Sequence, residues 1–302
     1  TRYLAQRGLA ALRDPQRLGL RVLLESAEVD PLNLTEEHVA FALAPRLNAA
    51  GRLADASQCV ELLTTNDATA ARIIAADLEA LNARRKGLTD LVTQQAQAQI
   101  VGDPSLLEHA ALVLASPYWH PGIIGIVASR LVDRYGKPAV LIALPEGGPG
   151  RGSARSVAGV DISSAIASCG DLLLSFGGHP MAAGVTIAPE RVGEFRTALS
   201  THVAGQLEGR ADPDAVEIDC ALPLPELSLD LVADISRLGP FGAGNPTLTL
   251  CASRLEVKAN RTVGRQEEHR ILTVADASGF ERQVVWWNGG SETPPQGVFD
   301  LA

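Results

Sequence analysis

The run from Asn66-Asp67 to about Val101 constrains the fold more than any other stretch of the chain. Ile73, Ile74, Leu78, Leu81, Leu88, Leu91, Val92 and Ile100 recur near helical spacing, while Gln94, Gln95, Gln97 and Gln99 give a wet face. About 35 residues at about 1.5 Å each span roughly 50 Å. That is long for one globular domain, so the helix is expected to bridge two, with Gly87 a weak point in its middle.

Before this helix, residues 3 to about 63 read as short helices. Leu9, Leu12, Leu18, Leu20, Val22, Leu23 and Leu24 cluster around a break at Asp14-Pro15, and Thr35 stands where it would cap a helix with His38 in its first turn. After it the pattern changes to strand–helix–strand. Ala110 to Ala115, Pro138 to Leu144, Arg151 to Val157 and Gly184 to Ile187 read as strands. Ile123 to Tyr135, Ile162 to Leu174 and Glu190 to Leu207 read as helices. The short crossover between the first two strands favours parallel pairing.

From Pro213 the chain turns to short alternating strands: Val216 to Cys220, Leu248 to Cys251, Leu255 to Val257, His269 to Val274 and Gln283 to Trp287. With a helix inserted at about Pro225 to Arg237, these suit an OB-type barrel, a common single-strand binder, or an unspecialised small barrel. The fold class expected is α/β: a helical segment at 1–65, a long connecting helix at 66–105, an α/β domain at 106–207, and a partial OB-type β-barrel at 213–302.

The 302 residues suffice for two or three domains, and 46% hydrophobic with 20% charged residues is the balance of a globular protein. No apolar run approaches a membrane span and no secretory signal opens the chain. Cys59, Cys169, Cys220 and Cys251 show no metal-binding spacing and are expected as reduced thiols in a cytoplasmic protein. Thr1 and the strand-like Phe299-Asp300-Leu301-Ala302 read as the ends of a piece of a longer protein. A net charge of −9 argues against nonspecific coating of nucleic acid but leaves room for a narrow basic groove. Apart from Lys86, Lys137 and Lys258, the cations are arginines, whose planar fork suits phosphate, although GC-rich codon usage explains the bias equally.

Four segments carry anion-binding chemistry. In Arg46-Leu47-Asn48-Ala49-Ala50-Gly51-Arg52, two guanidiniums and the Asn48 amide bracket a small, turn-prone core; a helical corner with solvated arginines is the plainer alternative. Tyr118-Trp119-His120-Pro121-Gly122 falls between a strand and its helix, where free N–H groups attract anions. There Trp119 stacks on a base or caps a core, and His120 contacts phosphate or the loop. In Gly150-Arg151-Gly152-Ser153-Ala154-Arg155, alternation puts Arg151, Ser153 and Arg155 on one face, either for phosphate or as a solvated edge. Gly177-Gly178-His179 reads as a loop whose backbone a phosphate approaches closely, with small Ala182, Ala183 and Gly184 in the next strand. In the barrel region, Pro240 to Pro246 reads as a turn, while Arg254, Lys258, Arg261, Arg265, Arg270, Trp286 and Trp287 offer basic and stacking groups. No Asp/His cluster at metal-ligand spacing and no nucleophile elbow appears, so no catalytic or metal-binding residue is assigned.

At these residues the chain resembles the RecJ family of single-strand-specific 5′→3′ exonucleases, within the DHH phosphoesterase superfamily. Arg46 to Leu53, Trp119 to Arg130, Gly152 to Val157 and Gly177 to Ile187 follow the family's motifs in order, and Phe241 to Pro246 matches the start of its OB segment. The resemblance implies a DHHA1 domain at about 106–207 and an incomplete OB fold after it. It also implies contacts from Asn48, Arg52, Ser153, Arg155, Gly177, Gly178 and His179, and more weakly His120, to DNA phosphates, and Arg46 falls within the first motif. It further implies a catalytic DHH domain holding Mn²⁺ or Mg²⁺, which this chain departs from because it contains no Asp-His-His motif. Single-stranded DNA is the implied partner, with a helicase and single-strand binding protein as collaborators in recombination and repair. A DHH-type phosphodiesterase of short oligonucleotides or cyclic dinucleotides, and a non-catalytic single-strand binding module, remain as alternatives.

Overall fold

The computed structural model describes residues 2–207 and 216–302, which divide into two compact units. The boundary expected at Pro213 lies outside the described residues. The first helix, α1 (Arg2–Leu12), groups through Ala11 with the C-terminal unit, where Gln6 Nε2 donates to the Gly239 carbonyl at 2.9 Å.

The larger unit begins with α2 (Leu18–Ser26) and continues through a π-helical turn at His38–Leu43 into α3 (Ala44–Leu53), followed by α4 (Ser57–Thr64). The long helix α5 (Ala68–Gly102) forms as the periodicity predicts. Asp67 caps it, its Oδ1 accepting the N–H groups of Thr69 at 2.7 Å and Ala70 at 3.2 Å. Its buried residues Ala71, Ile74, Ala75, Leu78, Asn82, Thr89, Val92, Ala96 and Ile100 form one stripe. The N-terminal half of that stripe packs on α2, α3 and α4, and the C-terminal half on the α/β segment, so α5 serves both parts of this unit.

Five strands follow, with helices between them: β1 (Leu112–Ser116), α6 (Pro121–Tyr135), β2 (Ala139–Ala143), β3 (Gly150–Arg155), α7 (Ile162–Ala167), β4 (Ser175–His179), β5 (Ala182–Ile187) and α8 (Val192–Leu207). The sheet order is β1-β2-β3-β5-β4, with β1 and β2 parallel and the other pairs antiparallel. Two expectations change here. The helix read at Ile162 to Leu174 stops at Ala167 and gives way to a 3₁₀ turn at Gly170–Leu172, because Gly170 interrupts the run. The Gly177-Gly178-His179 loop is instead the outer edge strand of the sheet, its glycines paired with Gly184 and Ala183.

Each face of the sheet has its own core. Val113, Val140, Ile142, Ala154, Val185 and Ile187 pack against α7 and α8 through Ile162, Ile166, Phe195 and Leu199. On the opposite face Leu112, Leu114, Ala139 and Leu141 pack under α5 and α6 through Val92, Ile100, Ile123, Val127 and Leu131.

The C-terminal unit contains β6 (Cys220–Ala221), α9 (Leu229–Ser236), β7 (Leu250–Val263), β8 (His269–Ala275), β9 (Glu281–Trp286) and β10 (Phe299–Leu301). Its sheet runs β10-β7-β8-β9, with β6 beside β7, around a core of Leu224, Ala252, Leu255, Leu272 and Val274. The two strands expected at Leu248 to Cys251 and Leu255 to Val257 are one strand, β7, which bends where Arg254 takes a positive φ of 59° and donates its N–H to Asp300. No described helix is long and apolar enough to cross a membrane.

Candidate nucleic-acid interface

The register of the sheet builds the site. Leu112, Ala139, Arg155, Ala182 and His179 lie in one cross-strand row, and Leu114, Leu141, Ser153, Gly184 and Gly177 in the next. Paired residues share a face, so the face that is apolar under α6 at β1 and β2 turns to Arg155 and Ser153 at β3. Beyond them it flattens into Ala182, Gly184 and Gly177 and ends at exposed His179. With strands about 4.8 Å apart, Arg155 and His179 are separated by roughly 10 Å across this shelf.

Helix α6 closes one side. His120 is its N-cap, and His120 Nδ1 accepts the Gly122 N–H at 3.0 Å, which leaves Nε2 to carry the proton of the neutral ring. Close approach of backbone requires Gly122, and at Gly125 a side chain would displace the Arg155 and Ser153 side chains. A Cβ on Gly122 would lie 2.3 Å from the Arg52 carbonyl oxygen, and one on Gly125 would lie 2.9 Å from Arg155 Nη2 and 2.8 Å from Ser153 Oγ. The end of α3, the first turns of α6 and β3 therefore meet at one place.

Three guanidiniums gather there. Arg52 Nη1 donates to the Gly122 carbonyl at 3.1 Å. Arg155 Nη1 donates to Ser153 Oγ at 3.0 Å and to the Ala154 carbonyl at 2.7 Å. Arg85, from α5, donates through Nε and Nη2 to Asn82 Oδ1 at 3.3 and 3.0 Å. These acceptors are neutral, and among the described residues none of the three arginines makes an ion pair. Burial, and then the charge of Arg155, hold the Arg52 guanidinium below its ordinary value. Burial alone lowers Arg155. Arg85 is lowered first by burial and then by Arg52 and Arg130, with Asp90 acting the other way. All remain cationic at neutral pH, because arginine does not lose its proton there. The cluster is a half-buried positive field whose three arginines have no carboxylate within ion-pair distance, Asp90 acting on Arg85 only from further off. An anion with several acceptor oxygens is the chemical complement of such a field.

Other expected residues fare differently. Arg46 is drawn off: its Nε pairs with Glu79 Oε2 at 2.5 Å and its Nη1 donates to the Ala42 carbonyl at 2.7 Å, so it clamps α3 to α5. Asn48 is exposed and lines a shallow depression with Gly51 and Arg52. Gly178 faces the α7–α8 side, where a Cβ would lie 2.4 Å from Ala183 Cα, so its lack of a side chain serves strand pairing. Trp119 is only 4% exposed and its Nε1 donates to Gln95 Oε1 at 2.9 Å, which makes it a core residue. In the C-terminal unit Arg270 spends its donors on Asn260 and on the carbonyls of Gly289, Gly290 and Glu292, holding a loop. Trp287 is 67% exposed and meets His269 edge-on at 4.8 Å.

The DHHA1 domain model matches residues 108–205 and the RecJ OB domain model residues 218–302. "Single-stranded-DNA-specific exonuclease RecJ" of Bacillus subtilis is 34% identical over 290 residues, covering 96% of this chain and 36% of that protein. The protein of the same name from Thermus thermophilus is 32% identical over 296 residues, 98% of this chain and 41% of that one. The crystal structure of Thermus thermophilus RecJ in complex with Mn²⁺ superposes with a TM-score of 0.81 at 32% identity, covering 97% of this chain and 42% of that chain. The chain belongs to the RecJ family.

The chain spans between about a third and a half of the length of the curated RecJ relatives it matches. The same Thermus protein is also known with Mg²⁺, so divalent metal is a property of that relative. Among the described residues of this chain, no three His, Cys, Asp or Glu side chains gather where they could share a cation. These residues do not fit the metal, and the chemistry of the site rests on its arginines, its amides and its imidazole. Sequence reasoning missed Arg85, although its helical phase with Leu78, Asn82 and Thr89 on the buried stripe of α5 marks it apart from exposed Arg84.

Proposed function

We propose that this chain is the substrate-binding part of a RecJ-like metal-dependent exonuclease that degrades single-stranded DNA 5′→3′ in recombination and repair. The observation that carries the reading is the group of Arg52, Arg85 and Arg155, half-buried, held by neutral acceptors and without carboxylate partners. A phosphate of the strand takes the place of the missing counter-charge. Ser153 and the Nε2–H of His120 supply further donors to it or to its neighbour, and the flat Ala182–Gly184–Gly177 shelf lets the backbone pass close to the sheet toward His179. The names of the relatives support DNA rather than a small nucleotide as the polymer bound. The reading gives this chain the grip on DNA. Cleavage, with Mn²⁺ or Mg²⁺, belongs to metal ligands outside these described residues. A single-strand binding protein and a helicase are the protein partners this reading adds.

The test is a salt titration of single-strand binding. Arg155→Ala is expected to weaken binding and to flatten the slope of log affinity against log salt by about 0.7, the contribution of one neutralised phosphate on a single strand. Unchanged affinity and slope would remove Arg155 from the interface.

A further inference from the structure

Beyond Ser153 on the same face of β3 stands Arg151, and beside it opens a cleft of about 460 Å³. Its walls are the pyrrolidine rings of Pro117, Pro121, Pro145 and Pro149. Trp119 also lines it, and its indole N–H is already given to Gln95, so the indole has no polar donor left for an occupant. Arg151 is exposed and is the charged member of the lining, which holds no carboxylate. The lining is therefore mostly apolar and rich in proline, with one cation.

Arg151 and Ser153 are two residues apart on one strand, about 6.7 Å. The cleft thus adjoins the phosphate site through the backbone of β3, and an occupant reaching both must join a body that packs on proline rings to an anion. A nucleotide has that form. Building on the phosphate reading above, we propose that the cleft receives a nucleobase of the bound strand, with Arg151 on the phosphate beside it. The proline rings contact the face of the base and the apolar walls remove it from water. Base-edge readout needs several fixed donors and acceptors. This lining offers one flexible arginine, so the subsite accepts any base and discriminates only between a base and its absence.

The test uses the 302-residue chain and a 5′-phosphorylated oligothymidylate in which one abasic site is moved stepwise along the strand, with binding followed by fluorescence anisotropy. An abasic site at one particular position is expected to weaken binding about tenfold, the loss of one base contact. Gly148→Trp fills the cleft with little strain, because a Cβ there meets only Pro145 Cγ at an ordinary 3.8 Å. That variant is expected to bind the intact strand about tenfold more weakly and to lose the position dependence. Equal affinity for every abasic strand with the unaltered chain overturns the base subsite, whatever the variant does. If that result comes with a salt slope that still depends on Arg155, the phosphate site stands and only the cleft assignment falls. If the intact strand does not bind, both fall.

Discussion

Arg52 donates from Nη1 to the carbonyl oxygen of Gly122 at 3.1 Å, joining residues seventy positions apart in sequence. The contact sets α3 against the first turn of α6 and holds the Arg52 guanidinium within electrostatic reach of Arg155 and Arg85. It depends on the absence of a side chain at residue 122, since the backbone carbonyl of Arg52 occupies the space a Cβ would fill.

Gly122→Ala is therefore expected to lower the stability of the larger unit by about 1–3 kcal/mol, the usual cost of forcing atoms into a filled space, and to weaken single-strand binding by displacing Arg52. Gly87→Ala is the counterpart. Gly87 is exposed in the interior of α5 with nothing near its missing Cβ, so that substitution is expected to stabilise by roughly 0.5–1 kcal/mol and leave binding unchanged. Denaturant unfolding and strand affinity measured on both variants check the pair.

Arg85 and Arg84 are neighbours in sequence with opposite placements. Arg85→Ala is expected to reduce affinity for single-stranded DNA about tenfold, in line with the loss of one charge-assisted contact. Arg84, exposed on the outer face of α5, is expected to tolerate the same change within about a factor of two. Equal effects of the two substitutions, read at one salt concentration, would mean that only the general field of the helix matters.

The shelf is backed by α7, whose N-cap is Asp161. The Ser164 backbone N–H, and then its hydroxyl, hold the Asp161 carboxyl below the usual carboxylate range. A depressed folded-state value favours the ionised form in the folded protein. The stability it contributes is present above the unfolded-state value near 3.9 and is lost as pH falls through the lower folded value. Asp161→Ala is expected to lower the Tm at pH 7, and the gap from the unaltered chain is expected to narrow as pH falls below about 4. A constant gap across that range would show that the carboxylate is not the source of the cap's contribution.

Much of this architecture is legible in the sequence, and the exceptions have physical causes. The length and phase of α5 follow from its apolar spacing, and the shared face of Arg151, Ser153 and Arg155 follows from strand alternation. Gly177 and Gly178 are unreadable as strand because glycine carries no β-forming side chain; only pairing with Ala183 and Gly184 of β5 makes them one. Arg46 and Arg52 look equivalent in their motif, and what separates them is Glu79, thirty-three positions away on another helix. The bend that hides β7 as a single strand lies in the backbone of Arg254, a residue type that gives no sign of a positive φ.

The most direct test of the central claim pairs a change in the protein with a change in the DNA. One phosphate of a single-stranded oligonucleotide is replaced by a neutral methylphosphonate, and its effect on affinity is measured for the unaltered chain and for Arg155→Ala. If Arg155 grips that phosphate, there is a position at which neutralisation weakens the unaltered chain but leaves the variant indifferent, so the two losses do not add. Losses that add fully at every position would contradict a direct contact between the arginine cluster and the strand.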